Sequence, residues 1–237
     1  MSKKNQIALV TGASSGIGQS VAVELSRKGF EIVISSRNID GLNETKSLID
    51  SIGGKSHIIQ MDISNHESVK NLFIESQKIG FVDVVINNAG LGKFDRIENI
   101  SLEDWDMQIN VNLRGAFLVT QAFSKPMIKN KKGMFVYINS VAGKKGYAFS
   151  SAYVTSKFGL LGFSKSMRNE LREHNIKVIS VHPGAVDTNF WNNVEGDFPR
   201  DEMMSSENVA KSITHAILAP ENVVLEEIDI QRTAGDF

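Results

Sequence analysis

The sequence predicts a single α/β domain: a doubly wound parallel sheet of about seven strands with helices on both faces. Three observations carry this. Apolar runs of four to six residues alternate with longer stretches of helical period, the pattern of buried parallel strands joined by single helices. The first run leads straight into a glycine-rich turn and an amphipathic helix, as at the first crossover of a ligand-binding sheet. No Pro/Ser-rich linker, repeat or low-complexity tract divides the 237 residues, a length that suits one large domain.

Strands are predicted at 6–10, 31–36, 56–61, 82–86, 134–139, 177–182 and 223–230. Helices are predicted near 17–28, 40–52, 66–78, 101–113, 115–130, 151–173 and 206–218. The first strand runs into Thr11-Gly12-Ala13-Ser14-Ser15-Gly16-Ile17-Gly18. Gly12 permits the tight turn, Gly16 lets the backbone approach a ligand, and Gly18 lets the helix pack closely on the sheet. The helix start then offers unpaired N–H groups to a pyrophosphate. The spacing G-x-x-x-G-x-G departs from the usual G-x-G-x-x-G, and a purely structural turn is the alternative.

After the second strand stands Ser35-Ser36-Arg37-Asn38, where a cofactor with a free ribose 2′-OH would want a carboxylate. Ser36 can donate to a phosphate and Arg37 can form a charge-assisted fork with it. That favours NADP(H) over NAD(H), against the alternative of a solvated arginine. Asp40 reads as a helix cap. Asp62 ends the third strand, and Ser64-x-x-Glu67 reads as a capping box. The fourth strand delivers Asn87-Asn88-Ala89-Gly90 to the end of the sheet where such folds bind ligands.

Residues 101 to 130 read as helix, begun by Ser101 with Asp104 three on, although Asn110 and Asn112 are poor helix formers. The fifth strand carries Ser140 at its tip. The sixth ends in His182-Pro183-Gly184-Ala185-Val186-Asp187-Thr188, with His182 read as a packed residue. Residues 189–205 set Phe190, Trp191, Phe198, Met203 and Met204 among polar residues, the composition of a substrate lid or of a surface helix with an apolar face.

The chemistry centres on Tyr153 and Lys157. On a helix spanning 151–173 they lie at i and i+4, on one face. A neighbouring ammonium is expected to lower the phenol below its usual value of about 10, toward proton exchange near neutral pH. Ser140 could donate to the same reacting oxygen.

Composition excludes other chemistries. There is no cysteine, so thiolate catalysis, disulfides and Cys-ligated metals are out. None of the five histidines is paired at metal-ligand spacing, so no metal is expected. A net charge of −1 with interspersed signs argues against nucleic acid or an anionic membrane as main partner. The apolar run Ile7-Ala8-Leu9-Val10 is too short for a signal or a membrane span, so a cytoplasmic location is expected.

Taken in register, Thr11 to Gly18, Asn87-Asn88-Ala89-Gly90, Asn112, Ser140, Tyr153-x-x-x-Lys157 and Pro183-Gly184 resemble the short-chain dehydrogenase/reductase family over about residues 6 to 188. The resemblance implies a Rossmann-type fold and a homodimer or homotetramer packed through the helices that carry Asn112 and Tyr153. It implies an oxidoreductase passing hydride between NADP(H) and a carbonyl or secondary alcohol. Tyr153 would supply the proton, Ser140 would hold the oxygen, Lys157 would tune Tyr153 and hold the ribose, and Asn112 would order a relay water. Gly12, Ser14, Ser15, Gly16, Ile17, Gly18, Ser36, Arg37, Asn38, Asn88, Ala89 and Gly90 would bind cofactor. Asp62 and Ile63 would lie against the adenine, and Pro183, Gly184, Val186 and Thr188 would pass the nicotinamide. Rival readings are a 3-oxoacyl-[acyl-carrier-protein] reductase, a dinucleotide sensor without turnover, and a methyltransferase on a similar sheet.

Overall fold

The computed structural model describes residues 6–194 and 198–235. Strands β1 (Ile7–Thr11), β2 (Glu31–Ser35), β3 (Ser56–Ile58), β4 (Val82–Asn87), β5 (Gly133–Ile138) and β6 (Ile176–Pro183) alternate with helices. The helices are α1 (Gly16–Arg27), α2 (Ile39–Ser51), α3 (His66–Ile79), α4 (Leu102–Ile109), α5 (Gly115–Asn130) and α6 (Ser151–Leu171). Beyond them come β7 (Val186–Asp187), β8 (Met204–Ser205), α7 (Ser206–Ile217) and β9 (Glu227–Ile230). The main sheet is parallel throughout, in the order β3-β2-β1-β4-β5-β6-β9. Strand order reverses between β1 and β4, which opens a crevice at their C-terminal ends.

Each strand alternates its side chains between two apolar layers, so the sheet is covered on both faces. Val10, Ile34, Ile86 and Val136 pack with Val21 and Leu25 of α1, Leu42 of α2 and Ile213 of α7. Leu9, Val33, Val85 and Phe135 pack with Leu72 of α3, Phe123 of α5 and Leu160 of α6. Each such side chain contributes about 1.5–3 kcal/mol by leaving water.

Several boundaries differ from the sequence reading. β3 stops at Ile58 because it is an edge strand; Ile59 and Met61 still donate to Ile34 and Ser36 carbonyls, but outside strand geometry. β9 covers only the last half of 223–230, and Val223 and Leu225 stay exposed. Ser101 caps α4 as expected, its Oγ accepting from Asp104 N at 3.0 Å. Two other caps move by one or two residues. Asn38, not Asp40, accepts from Gly41 N at 3.1 Å to start α2. Asn65, not a Ser64–Glu67 box, accepts from Ser68 N at 3.0 Å to start α3. Ser64 is instead drawn to Asp62, whose Oδ1 accepts both its N–H and its hydroxyl. The long helix is interrupted by a π-helical turn at Asn110–Arg114.

Candidate active site

The glycine-rich turn forms the floor of the crevice. Gly12 has φ +65° and Gly16 has φ +55°, the left-handed region in which a Cβ is strained. A Cβ on Gly12 would also stand 2.8 Å from Ala89 Cα. One on Gly18 would collide with Gly12 O and Asn88 Nδ2, so the third glycine sets the close packing of α1. Thr11 Oγ1 accepts from Asn88 N and Ala89 N, while Asn88 Nδ2 donates to Thr11 O and Gly12 O. The amide of Asn88 is therefore spent on bracing the turn. Ser15 precedes α1 without a side-chain cap, which leaves its first N–H groups facing outward as donors for an anion. Ser14 packs against Gly41 at the start of α2.

At the end of β2, Arg37 is exposed and Ser36 is buried. Ser36 Oγ bonds locally to Asn38, and Asn38 is engaged as a cap. Burial would raise the Asp62 carboxyl, but hydrogen bonds from Ser64 and the nearby Arg37 charge hold it below its ordinary range. Arg37 thus shares its field with a carboxylate that the strand-end reading left out. Ile63 packs in the core against Gly115, so only its backbone can meet a ligand.

Beyond the turn lies a cavity of about 890 Å³, lined by Gly16, Gly90, Ser140, Tyr153 and Lys157 among others. Ser140 follows β5 in extended geometry, and its Oγ accepts from Ala142 N at 3.1 Å. The same hydroxyl lies near enough to the Tyr153 phenol to pull its pKa downward. Tyr153 and Lys157 share one face of α6, and Lys157 Nζ stands 5.7 Å from the Tyr153 ring centroid. Lys157 is buried and donates to Ile138 O at 3.0 Å.

The expected lowering of Tyr153 is overturned. Burial pushes its phenol up to about 12, against the pull of the Ser140 hydrogen bond. Burial also pushes Lys157 down to about 8. Desolvation disfavours the charged form of each, and that outweighs what sequence proximity suggested.

Asn112 lies in the π-helical turn and is buried. Its Oδ1 accepts from Leu91 N at 2.9 Å, and its Nδ2 donates to Leu91 O at 2.8 Å and Ser156 Oγ at 2.9 Å. It ties the loop after β4 to α6, and a single Oδ1 lone pair is left over.

Pro183 and Gly184 end β6, with Gly184 N donating to Ile230 O at 2.8 Å. Val186 is buried, and Thr188 leans over Gly16, 3.1 Å from where a Cβ there would be. Within 189–205, the described residues form short 3₁₀ turns, and Met204 pairs with Val186 across β7 and β8. Trp191 Nε1 donates to Val186 O at 2.9 Å. Residues 195–197 lie outside the described part.

A sequence profile of the short chain dehydrogenase family matches residues 6–197. The chain belongs to this family. Among curated relatives, a sepiapterin reductase of Chlorobaculum tepidum is 36% identical over 239 residues, covering 98% of each chain. A 3-oxoacyl-[acyl-carrier-protein] reductase of Synechocystis is 34% identical over 194 residues, covering 81% of this chain and 78% of its own. Among solved structures, an alcohol dehydrogenase from Thermococcus sibiricus complexed with 5-hydroxy-NADP superposes with a TM-score of 0.89. It is 27% identical and covers 97% of both chains. A metagenomic short-chain oxidoreductase in complex with NADP gives 0.85 at 29% identity, covering 96% of this chain and 97% of its own.

Against this family frame, the sequence reading missed the aromatic wall of the cavity. Phe94 contacts Tyr153 and Phe190 edge-on, with centroids 5.5 and 5.9 Å apart. Phe149 and Arg96 stand at the same cavity. Phe94 and Phe149 sit in loops with no apolar period; only their closeness in sequence to Gly90 and Tyr153 hinted at a site.

Proposed function

We propose that this protein is an NADP(H)-dependent oxidoreductase that transfers hydride between the nicotinamide and a carbonyl or secondary alcohol. The observation that carries the reading is the convergence of Ser140, Tyr153 and Lys157 on a cavity that continues from the glycine-rich turn. The residues present suit that cofactor. Left-handed Gly12 and Gly16, together with the uncapped start of α1, can take the pyrophosphate. Arg37 can take a 2′-phosphate, and Ser36 would join it only by giving up its bond to the Asn38 carbonyl. The NADP-bound family structures support the same choice. When bound, the cofactor supplies or accepts the hydride.

The chain's own groups handle the proton. Tyr153, held near 12, keeps its phenol protonated at neutral pH. From the cavity wall it can exchange that proton with the oxygen of a carbonyl or alcohol bound there. Ser140 would donate to that oxygen from beside the phenol. Lys157, fixed by Ile138 O, presents its ammonium to the ribose and to the Tyr153 ring. Asn112 holds the loop over this group and offers its last lone pair to a relay water. Phe190, Trp191 and Phe198, which line the cavity, would belong to a substrate lid of one catalytic domain. The aromatic wall favours a ring-bearing carbonyl compound, as sepiapterin is, over an extended 3-oxoacyl chain.

The test is NADPH oxidation with aldehydes, ketones, vicinal diketones, sepiapterin and 3-oxoacyl thioesters. Turnover with ring-bearing carbonyls is expected. Tight NADPH binding with no turnover of any of them would favour a dinucleotide sensor.

A further inference from the structure

Phe149 combines three properties that rarely occur together. Its φ is +61°, left-handed for a bulky residue that has no local side-chain bond to offset the strain. The residue is 54% exposed, so packing in a core does not explain the strain. It lines the same cavity as Tyr153, four residues before it in the chain. Two contacts hold the strained conformation. Asp95 N donates to the Phe149 carbonyl at 2.9 Å, and Arg96 lays its guanidinium over the ring with Cζ 5.2 Å from the centroid. Asp95 Oδ1 in turn accepts from Arg96 N and from Asn99 Nδ2, which fixes the loop that does the holding.

Strain kept at an exposed cavity rim is most readily understood as serving a ligand. We propose that Phe149, clamped by Asp95 and Arg96, is a specificity-determining residue whose ring forms the outer wall for a flat, ring-bearing carbonyl substrate. This rests on the oxidoreductase reading above. The guanidinium fixes the ring in one orientation, so little side-chain freedom is lost when substrate arrives. The ring carries no proton donor or acceptor, so it selects among substrates without entering the proton transfer.

The experiment compares 1-phenyl-1,2-propanedione with 2,3-butanedione, both vicinal diketones, in the parent and in Phe149→Gly, Phe149→Leu and Arg96→Ala. The ratio of kcat/KM for the aromatic over the aliphatic diketone is expected to fall about fivefold in Phe149→Gly and Phe149→Leu. A smaller fall in the same direction is expected in Arg96→Ala. Thermal unfolding provides the second readout: Phe149→Gly relieves the left-handed strain, so its Tm should hold or rise while selectivity falls. An unchanged ratio in both Phe149 variants, or a Tm drop with no change in ratio, overturns the assignment and makes Phe149 a structural residue. If the parent oxidises NADPH with neither diketone nor any other carbonyl, the oxidoreductase reading fails first and the assignment fails with it.

Discussion

Lys157 brings a charge into a place that disfavours it. Burial holds its ammonium near 8, below its ordinary 10.5. Between those values the unfolded chain keeps a proton that the folded protein has released, so stability rises with pH across that window. Lys157→Met removes this dependence. The parent should therefore gain on the order of 1–2 kcal/mol relative to Lys157→Met between about pH 7.5 and pH 9.5, read by urea denaturation without cofactor. A flat difference would mean the ammonium is not desolvated. The same substitution should weaken NADPH binding, because the ribose loses its donor. Arg37 carries the cofactor choice. Arg37→Ala is expected to weaken NADPH binding about tenfold or more and leave NADH unchanged, a loss of roughly 1.5–3 kcal/mol for one charge-assisted fork. Calorimetric titration of both cofactors checks it, and equal binding of the two by the parent would reduce Arg37 to a solvated surface residue. The field of Asp62 on Arg37 places the effect toward the lower end of that range.

At the scale of elements, the π-helical turn at Asn110–Arg114 carries Asn112, whose buried side chain bonds Leu91 and Ser156. Asn112→Ala strips partners from Leu91 N, Leu91 O and Ser156 Oγ together. A loss of roughly 2–4 kcal/mol of stability is expected from denaturant titration, along with lower turnover. A loss under about 0.5 kcal/mol would show that the loop stands without it. The sequence made the sheet readable because each buried strand is an uninterrupted apolar run and each glycine of the first turn has a geometric reason to be there. Asn110 and Asn112 marked the break in the helix, though not its form. Caps were less legible: Ser64 and Asn65, or Asn38 and Asp40, are equally able acceptors, and only loop geometry chooses between them. The small β7–β8 pairing was invisible because two-residue strands have no period. The Tyr153 shift was misjudged because spacing along a helix reports closeness and says nothing of desolvation.

Across the whole molecule, α4, α5 and α6 leave apolar side chains facing outward: Leu102, Phe117 and Phe158 are 70%, 42% and 46% exposed. Gly162, one turn beyond Phe158, has no neighbour within 4 Å of where its Cβ would be, which lets a second backbone approach closely. These helices carry Asn112 and Tyr153 at their inner ends, so association through them would stiffen the site from behind. A homo-oligomer is expected in light scattering, and Phe158→Asp should dissociate it. A monomeric parent at micromolar concentration would refute that interface. No helix among the described residues is long and apolar enough to cross a membrane.

The most direct test of the central claim is turnover by Tyr153→Phe, measured with the best carbonyl substrate alongside NADPH affinity. The substitution keeps the ring against Phe94 and Phe190 and removes only the hydroxyl. NADPH should bind as in the parent while turnover falls by roughly a thousandfold or more, about 4 kcal/mol in barrier. Turnover within tenfold of the parent, a difference of only about 1.4 kcal/mol, would contradict it and remove Tyr153 as the proton donor.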